Sequence, residues 1–216
     1  MTIIPNAAFV LPPLYPILVP SRIGSGTLSE SCEFARELVA GGATLLQLRE
    51  KDASAKEVLR LARELRRILR DEITLIINDR PDLTIAADAN GAHVGQDDIP
   101  PEAARRILGN QRILGISTHN LEQLALAQQT SANYLAIGPV FPTSSKKSPD
   151  PAVGLEGIRQ GRANTEKPLI AIGGITLQNC RSVIEAGADS VAVISELLSD
   201  PRKVTAQFLL KMAKLG

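Results

Sequence analysis

The sequence predicts a single (β/α)8 barrel, and three observations lead there. Short apolar runs of strand type alternate eight times with longer segments of helical period. The runs are apolar throughout rather than alternating, as strands buried on both faces of a parallel sheet must be. No linker or shift of composition divides the 216 residues, so residues 1–216 read as one domain around one core. An open doubly wound sheet is the competing arrangement of the same units.

Residues 1–13 read as an irregular N-terminal extension, because Pro5, Pro12 and Pro13 break any regular element. The first 21 residues carry no charged side chain, yet they lack the basic start of a signal peptide and are interrupted again at Pro16 and Pro20. The strands then come at Leu14 to Val19, Leu45 to Leu48, Leu75 to Ile77, Ala92 to Val94, Ile113 to Ile116, Tyr134 to Ile137, Leu169 to Ile172 and Val191 to Ile194. Between them lie helical stripes. The clearest is Ala55 to Leu69, where Val58, Leu59, Leu61, Ala62, Leu65 and Leu69 share a face opposite Arg and Glu. Similar stripes run over Ser31 to Ala40 and Val204 to Met212.

Composition excludes several function classes. With 24 Lys+Arg against 23 Asp+Glu, the net charge of +1 provides no general grip on nucleic acid or an anionic membrane. Aromatic residues are 3% with no Trp, which removes a stacking platform for single strands. Cys32 and Cys180 are far apart and fit no metal-ligand spacing, so they read as buried thiols of a reducing, cytoplasmic compartment. Small molecules are the partners that remain, and a homo-oligomer is compatible with everything above.

In a barrel the chemistry collects where strands end, so the residues just after each apolar run are informative. After strand two, Gln47, Arg49 and Lys51 alternate onto one side, either as converging ligands or as a solvated charge run. Strand three is followed by Asn78-Asp79-Arg80 and strand four by Gly95-Gln96-Asp97-Asp98. Carboxylates at neighbouring strand ends suit Mg2+, which takes one or two and fills its octahedron with water and phosphate oxygens. Asp97 or Asp98 could equally cap a helix starting near Pro100 and Pro101. Ser117 and Thr118 could meet a phosphate or cap the next helix. His93 lies inside a short strand and His119 reads as a surface or supporting residue, so neither receives a catalytic role.

After strand six comes a long irregular stretch, Phe141 to Gly154, with Thr143, Ser145 and Lys146. Hydroxyls and a cation on such a loop suit a lid over an anion. Gly173-Gly174 after strand seven and Ile194-Ser195 after strand eight fall where this barrel often binds phosphate through bare backbone NH groups. Two anion sites suggest two phosphorylated substrates. Carboxylates beside Arg49, Lys51 and Lys146 point further to a diphosphate whose departure they would stabilise.

The ordered fragments QLREK, NDR, HVGQDD, GISTHN, GPVFPTSSK, GLEGI and AIGGI resemble the thiamine-phosphate synthase family over nearly the whole chain. The resemblance implies a transferase that joins hydroxymethylpyrimidine diphosphate to thiazole phosphate with Mg2+, releasing pyrophosphate before the thiazole nitrogen captures the pyrimidine methylene cation. It also implies roles by position. Gln47, Arg49, Lys51 and Asn78 would form the pyrimidine diphosphate pocket, with Ser117 and Lys146 holding the diphosphate and Asp79 and Asp98 the metal. Arg49, Lys51, Ser117 and Lys146 would be the catalytic charges and donors. Thr143, Ser145, Gly174, Ile194 and Ser195 would take the thiazole phosphate. Strand one, from Leu14 to Ser21, lacks the acidic residue the family often places after it, so no site role is assigned there.

Three alternatives compete. A thiazole tautomerase of the same superfamily tends to lack the diphosphate positions and carries a histidine where this chain has Pro139. A phosphate-binding sensor would not need Asp79, Asp98 and Lys146 together. A Schiff-base aldolase would need a desolvated Lys51.

Overall fold

The computed structural model describes residues 9–69, 72–143 and 150–213. Eight strands are present, β1 (Leu14–Leu18), β2 (Leu45–Leu48), β3 (Thr74–Asn78), β4 (Gly91–Val94), β5 (Ile113–Thr118), β6 (Tyr134–Ile137), β7 (Leu169–Ile172) and β8 (Ser190–Val193). They pair in parallel in chain order, and β8 returns to β1 with Leu14 opposite Val191, so the sheet closes on itself. The open-sheet alternative is thereby excluded. Each strand lies within one or two residues of its expected position.

The helices are α1 (Leu28–Ala40), α2 (Ala55–Leu69), α3 (Pro81–Ala86), α4 (Pro101–Leu108), α5 (Leu121–Gln128), α6 (Gly154–Ala163), α7 (Cys180–Glu185) and α8 (Pro201–Met212). The apolar stripes located the bodies of α1, α2 and α8, while the starts of α1 and α8 depend on their caps. Helix α1 begins three residues ahead of Ser31 because Thr27 and Glu30 form a reciprocal capping box. Helix α8 begins at Pro201 because the Asp200 carboxylate accepts from the Lys203 N–H. Capping of α5 falls to Asn120, which frees Ser117 and Thr118, and α4 starts after Pro100 without a side-chain cap, which frees Asp97 and Asp98.

The core has two parts. A larger one lies between the helices and the outer face of the sheet, and includes both cysteines as buried free thiols. A smaller one fills the barrel with Tyr15, Ile17, Leu45, Ile76, Tyr134 and Ile170. Phe9 and Leu11 pack against this inner cluster, so the described end of the N-terminal extension closes the floor of the barrel. The inner core is tight enough that a Cβ on Gly115 would collide with the Tyr134 phenol. Among the described residues no helix is long and apolar enough to cross a membrane.

Candidate active site

The C-terminal strand ends surround a cavity of about 450 Å3. Gln47, Arg49 and Lys51 all reach it, because residues two apart from β2 onward point the same way. Asn78, Asp79, Asp98 and Ser117 line its next wall, and Thr143, Gly174, Ile194 and Ser195 the far side. Ser145 and Lys146 lie outside the described residues. A second hollow of about 490 Å3 sits outside the barrel mouth between the segment after β1 and helix α2. Two of its carboxylates already serve the backbone, Glu50 accepting from the Ser21 N–H at 2.8 Å and Glu57 from the Ser54 N–H at 2.9 Å. It gathers no cluster of cations, so the mouth is the candidate site.

Asp79 takes a left-handed backbone conformation, φ 61°, immediately after β3. Aspartate tolerates this region better than most residues, and such departures concentrate at working sites. The Asp79 N–H still extends the ladder to the His93 carbonyl at 2.7 Å, and the turn swings its carboxylate to within 2.9 Å of Lys51 Nζ. Burial and the adjoining Asp98 carboxyl push the Asp79 pKa up, against the pull of Lys51. Asp98 is braced by the Gly95 N–H, 2.7 Å from one of its oxygens, rather than spent on a helix cap. Lys51 is about half exposed and ion-paired, which is the opposite of the desolvated amine an aldolase would need. The Arg49 backbone N–H donates to the Leu18 carbonyl at 2.9 Å, while its guanidinium has no hydrogen-bond partner among the described residues.

Two crowded carboxylates, of which Asp79 has its proton affinity raised by burial and by its neighbour, are a hard oxygen donor set short of positive charge, and Mg2+ fits such a set. Among the described residues no group of three or more ligating side chains assembles, so the protein would supply two ligands and leave the remainder to water and phosphate.

The far wall is built from backbone. Gly173 and Gly174 have φ of 99° and 64°, a conformation glycine adopts without cost. Beside this glycine turn, α7 does not begin until Cys180, while a single 3-10 turn, Ser195–Leu198, comes directly after β8. The helix terminus facing the glycines is therefore that of this 3-10 turn. Gly174 also has a second duty. A Cβ there would lie 2.7 Å from the Phe141 Cβ and the Pro142 carbonyl oxygen, so the glycine gives passage to the loop after β6.

Several lining residues escaped sequence reasoning. Strand one supplies Tyr15 and Ile17, and Arg22 just beyond it donates to Ser195 Oγ at 3.4 Å, so β1 and its loop do contribute. His119 lines the cavity, with Nδ1 2.9 Å from the Gly138 carbonyl. His93 lines its floor and Tyr134 lies beneath, both in a buried chain. Gln47 Nε2 donates to the Tyr15 hydroxyl at 3.0 Å, the two tyrosine hydroxyls are 2.7 Å apart, and His93 bridges Tyr134 at 3.0 Å to Ser117 Oγ at 2.7 Å. Burial pushes His93 down to a pKa of about 4 and holds both tyrosines well above their usual range. A tyrosine in an apolar strand reads as core filling, and only its pairing across the barrel reveals the polar use.

The family model described as thiamine monophosphate synthase matches residues 14–197, which takes in all eight strands and both walls of the cavity. The chain belongs to the thiamine monophosphate synthase family. It is 56% identical over 200 residues to the thiamine-phosphate synthase of Koribacter versatilis, covering 92% of this chain and 95% of that protein. The corresponding protein of Methanosarcina barkeri is 40% identical over 190 residues, covering 88% and 84%. Among solved structures, thiamine phosphate pyrophosphorylase from Pyrococcus furiosus superposes with a TM-score of 0.83 at 34% identity, covering 94% of this chain and 98% of that one. Phosphoribosyl anthranilate isomerase from Thermus thermophilus, at 17% identity and a TM-score of 0.66, shares the fold alone. Membership in the thiamine monophosphate synthase family makes the chain a thiamine phosphate-forming transferase.

Proposed function

We propose that hydroxymethylpyrimidine diphosphate binds over the ends of β2 to β5, that thiazole phosphate binds over β7 and β8, and that the family's transfer takes place between them. The observation that carries this reading is the meeting of Arg49, Lys51, Asp79 and Asp98 with the Gly173-Gly174 cup in one cavity. The two anion sites differ in the charge each can neutralise. Among the described residues the first brings two cations, Arg49 and Lys51, together with two carboxylates, as a leaving diphosphate requires.

The transfer breaks the bond between the pyrimidine methylene carbon and the diphosphate oxygen, whose electron pair leaves with pyrophosphate. The thiazole nitrogen then donates its pair to the methylene carbon, forming the new C–N bond. Arg49 and Lys51 stabilise charge on the departing oxygens, with Ser117 as a hydroxyl donor. Lys146 adds a further cation, while Thr143, Ser145, Ile194 and Ser195 hold the thiazole side with Gly174. Asp79 and Asp98 would hold Mg2+, which when bound supplies charge neutralisation to the diphosphate. The walls of the barrel keep the two reactants in contact and water away from the cation, so positioning and electrostatics suffice without a strong base. A biosynthetic transferase acting on two free phosphorylated intermediates fits a cytoplasmic location.

Incubating the purified protein with both substrates and Mg2+ should yield thiamine phosphate and pyrophosphate in equal amounts. Omitting either substrate or the metal should abolish the product, and product formed at full rate without divalent metal would overturn the Mg2+ assignment.

A further inference from the structure

The buried chain under the cavity runs from Gln47 on β2 through Tyr15, Tyr134 and His93 to Ser117 on β5, crossing the barrel interior without a gap. Each member has a limited supply of hydrogens, and this fixes how the chain can be arranged. A tyrosine hydroxyl has one hydrogen to give. His93 is 6% exposed and its ring nitrogens face two neutral hydroxyls, so it is neutral, with one nitrogen donating and the other accepting.

Only two arrangements then satisfy every link and leave no tyrosine hydrogen without a partner in the chain. In one, the Gln47 amide donates to Tyr15, Tyr15 to Tyr134, and Tyr134 to His93 Nδ1. His93 Nε2 then donates to Ser117 Oγ, whose own hydrogen points into the cavity. In the other, every bond is reversed. Ser117 gives its hydrogen inward, and Tyr15 donates to a turned-over Gln47 amide whose NH2 faces the cavity. A mixture of the two makes one tyrosine oxygen accept twice and leaves its own hydrogen without a partner in the chain, or sets two hydrogens or two lone pairs against each other, and either is costly in a buried place.

We propose that this chain is a directional relay that couples the two ends of this wall, β5 and β2: an anion taking the Ser117 hydrogen forces Gln47 to present its carbonyl oxygen, so the pocket admits a ring amine and rejects a ring carbonyl. The proposal rests on the reading of this wall as the pyrimidine diphosphate pocket. A phosphate oxygen only accepts hydrogen bonds, so it selects the first arrangement at Ser117. The selection travels through His93 and the tyrosines to Gln47 on the opposite side. Tyr15, Tyr134 and His93 are thus positioning residues that set specificity without touching the ligand's diphosphate. The packing supports a built device, because Gly115 on β5 leaves out a Cβ where the Tyr134 phenol passes.

The test uses two unreactive phosphonate analogues of the pyrimidine diphosphate, one with a ring amine and one with a carbonyl at the same position, titrated calorimetrically with Mg2+. The wild-type protein should bind the amine form roughly 10- to 100-fold more tightly, the range expected when one buried polar group is left unsatisfied. Tyr134→Phe removes one hydroxyl, leaves the ring in its gap, and should bring the ratio to within about threefold. Ser117→Ala should do the same from across the barrel, and it decides the matter if Tyr134→Phe does not fold. A variant that weakens both analogues alike, with the ratio intact, marks a merely structural chain and overturns the proposal. A wild-type protein that binds both analogues equally overturns it as well, while one that binds neither refutes the pocket reading itself.

Discussion

On the proposed reading the two walls of the cavity both hold phosphate oxygens, with different materials. Over β2 to β5 the work is done by side chains: cations, a crowded carboxylate pair and a hydroxyl tied to a buried chain. Over β7 and β8 it is done by backbone, through two glycines in the left-handed region and the first turn after β8. Side-chain charge suits an oxygen that gains charge as the reaction proceeds, whereas fixed NH groups suit a phosphate that only has to stay in place. Substitutions should therefore act through charge on one wall and through space on the other.

The largest effect should come from breaking the charged wall. Asp79→Ala or Asp98→Ala should lower turnover by about 10^2-fold or more with the fold retained, the scale of losing a preorganised stabiliser of charge. Steady-state rates across a Mg2+ titration check this, and the variants should need more metal. The buried chain on the same wall should show itself in stability. Free histidine titrates near pH 6.5, and His93 holds its neutral form down to about 4. The unfolded chain takes up that proton first as pH falls, so stability is complete above about pH 6.5 and is lost between there and about pH 4. The loss amounts to about 3 kcal/mol, and His93→Gln should flatten it in urea melts at stepped pH.

The next test separates the walls by substrate. Arg49→Ala should weaken pyrimidine diphosphate about tenfold and leave thiazole phosphate near its normal affinity, while Ser195→Ala should do the converse by a few-fold. Gly174→Val is a poor probe of the far wall alone, since its side chain would press on Phe141 and Pro142 and disturb the loop from β6 as well. It should weaken both ligands in calorimetry. The smallest effect concerns that loop. Cleavage by a protease between Phe141 and Gly154 should slow a few-fold when pyrophosphate and Mg2+ are added together, and unchanged cleavage would count against a lid.

The strands were legible in the sequence because doubly buried strands leave uninterrupted apolar runs, and Gln47, Arg49, Asp79, Asp98 and Gly174 were legible because each lies at or just beyond the end of such a run. The starts of α1 and α8 were not, since they depend on the Thr27–Glu30 and Asp200 caps rather than on the apolar stripe. Tyr15, His93 and Tyr134 were illegible for a different reason. They lie within strands, where polarity is hidden by burial, and their meaning comes from partners up to 119 positions away. Strand one offered no role because its loop lacks an acid, yet its contribution comes from inside the barrel.

The empty Cβ position of Gly115 and the ring of Tyr134 occupy one volume, and this has a consequence for how the sequence can change over time. Neither position can be altered alone toward greater bulk. A side chain at 115 becomes admissible only after 134 has shrunk, and a smaller residue at 134 opens a void beside 115. The pair should therefore drift together or not at all, and any lineage that makes the exchange gives up the hydroxyl that joins β5 to β2. Epistasis between two interior positions would then mark the loss of discrimination at the mouth.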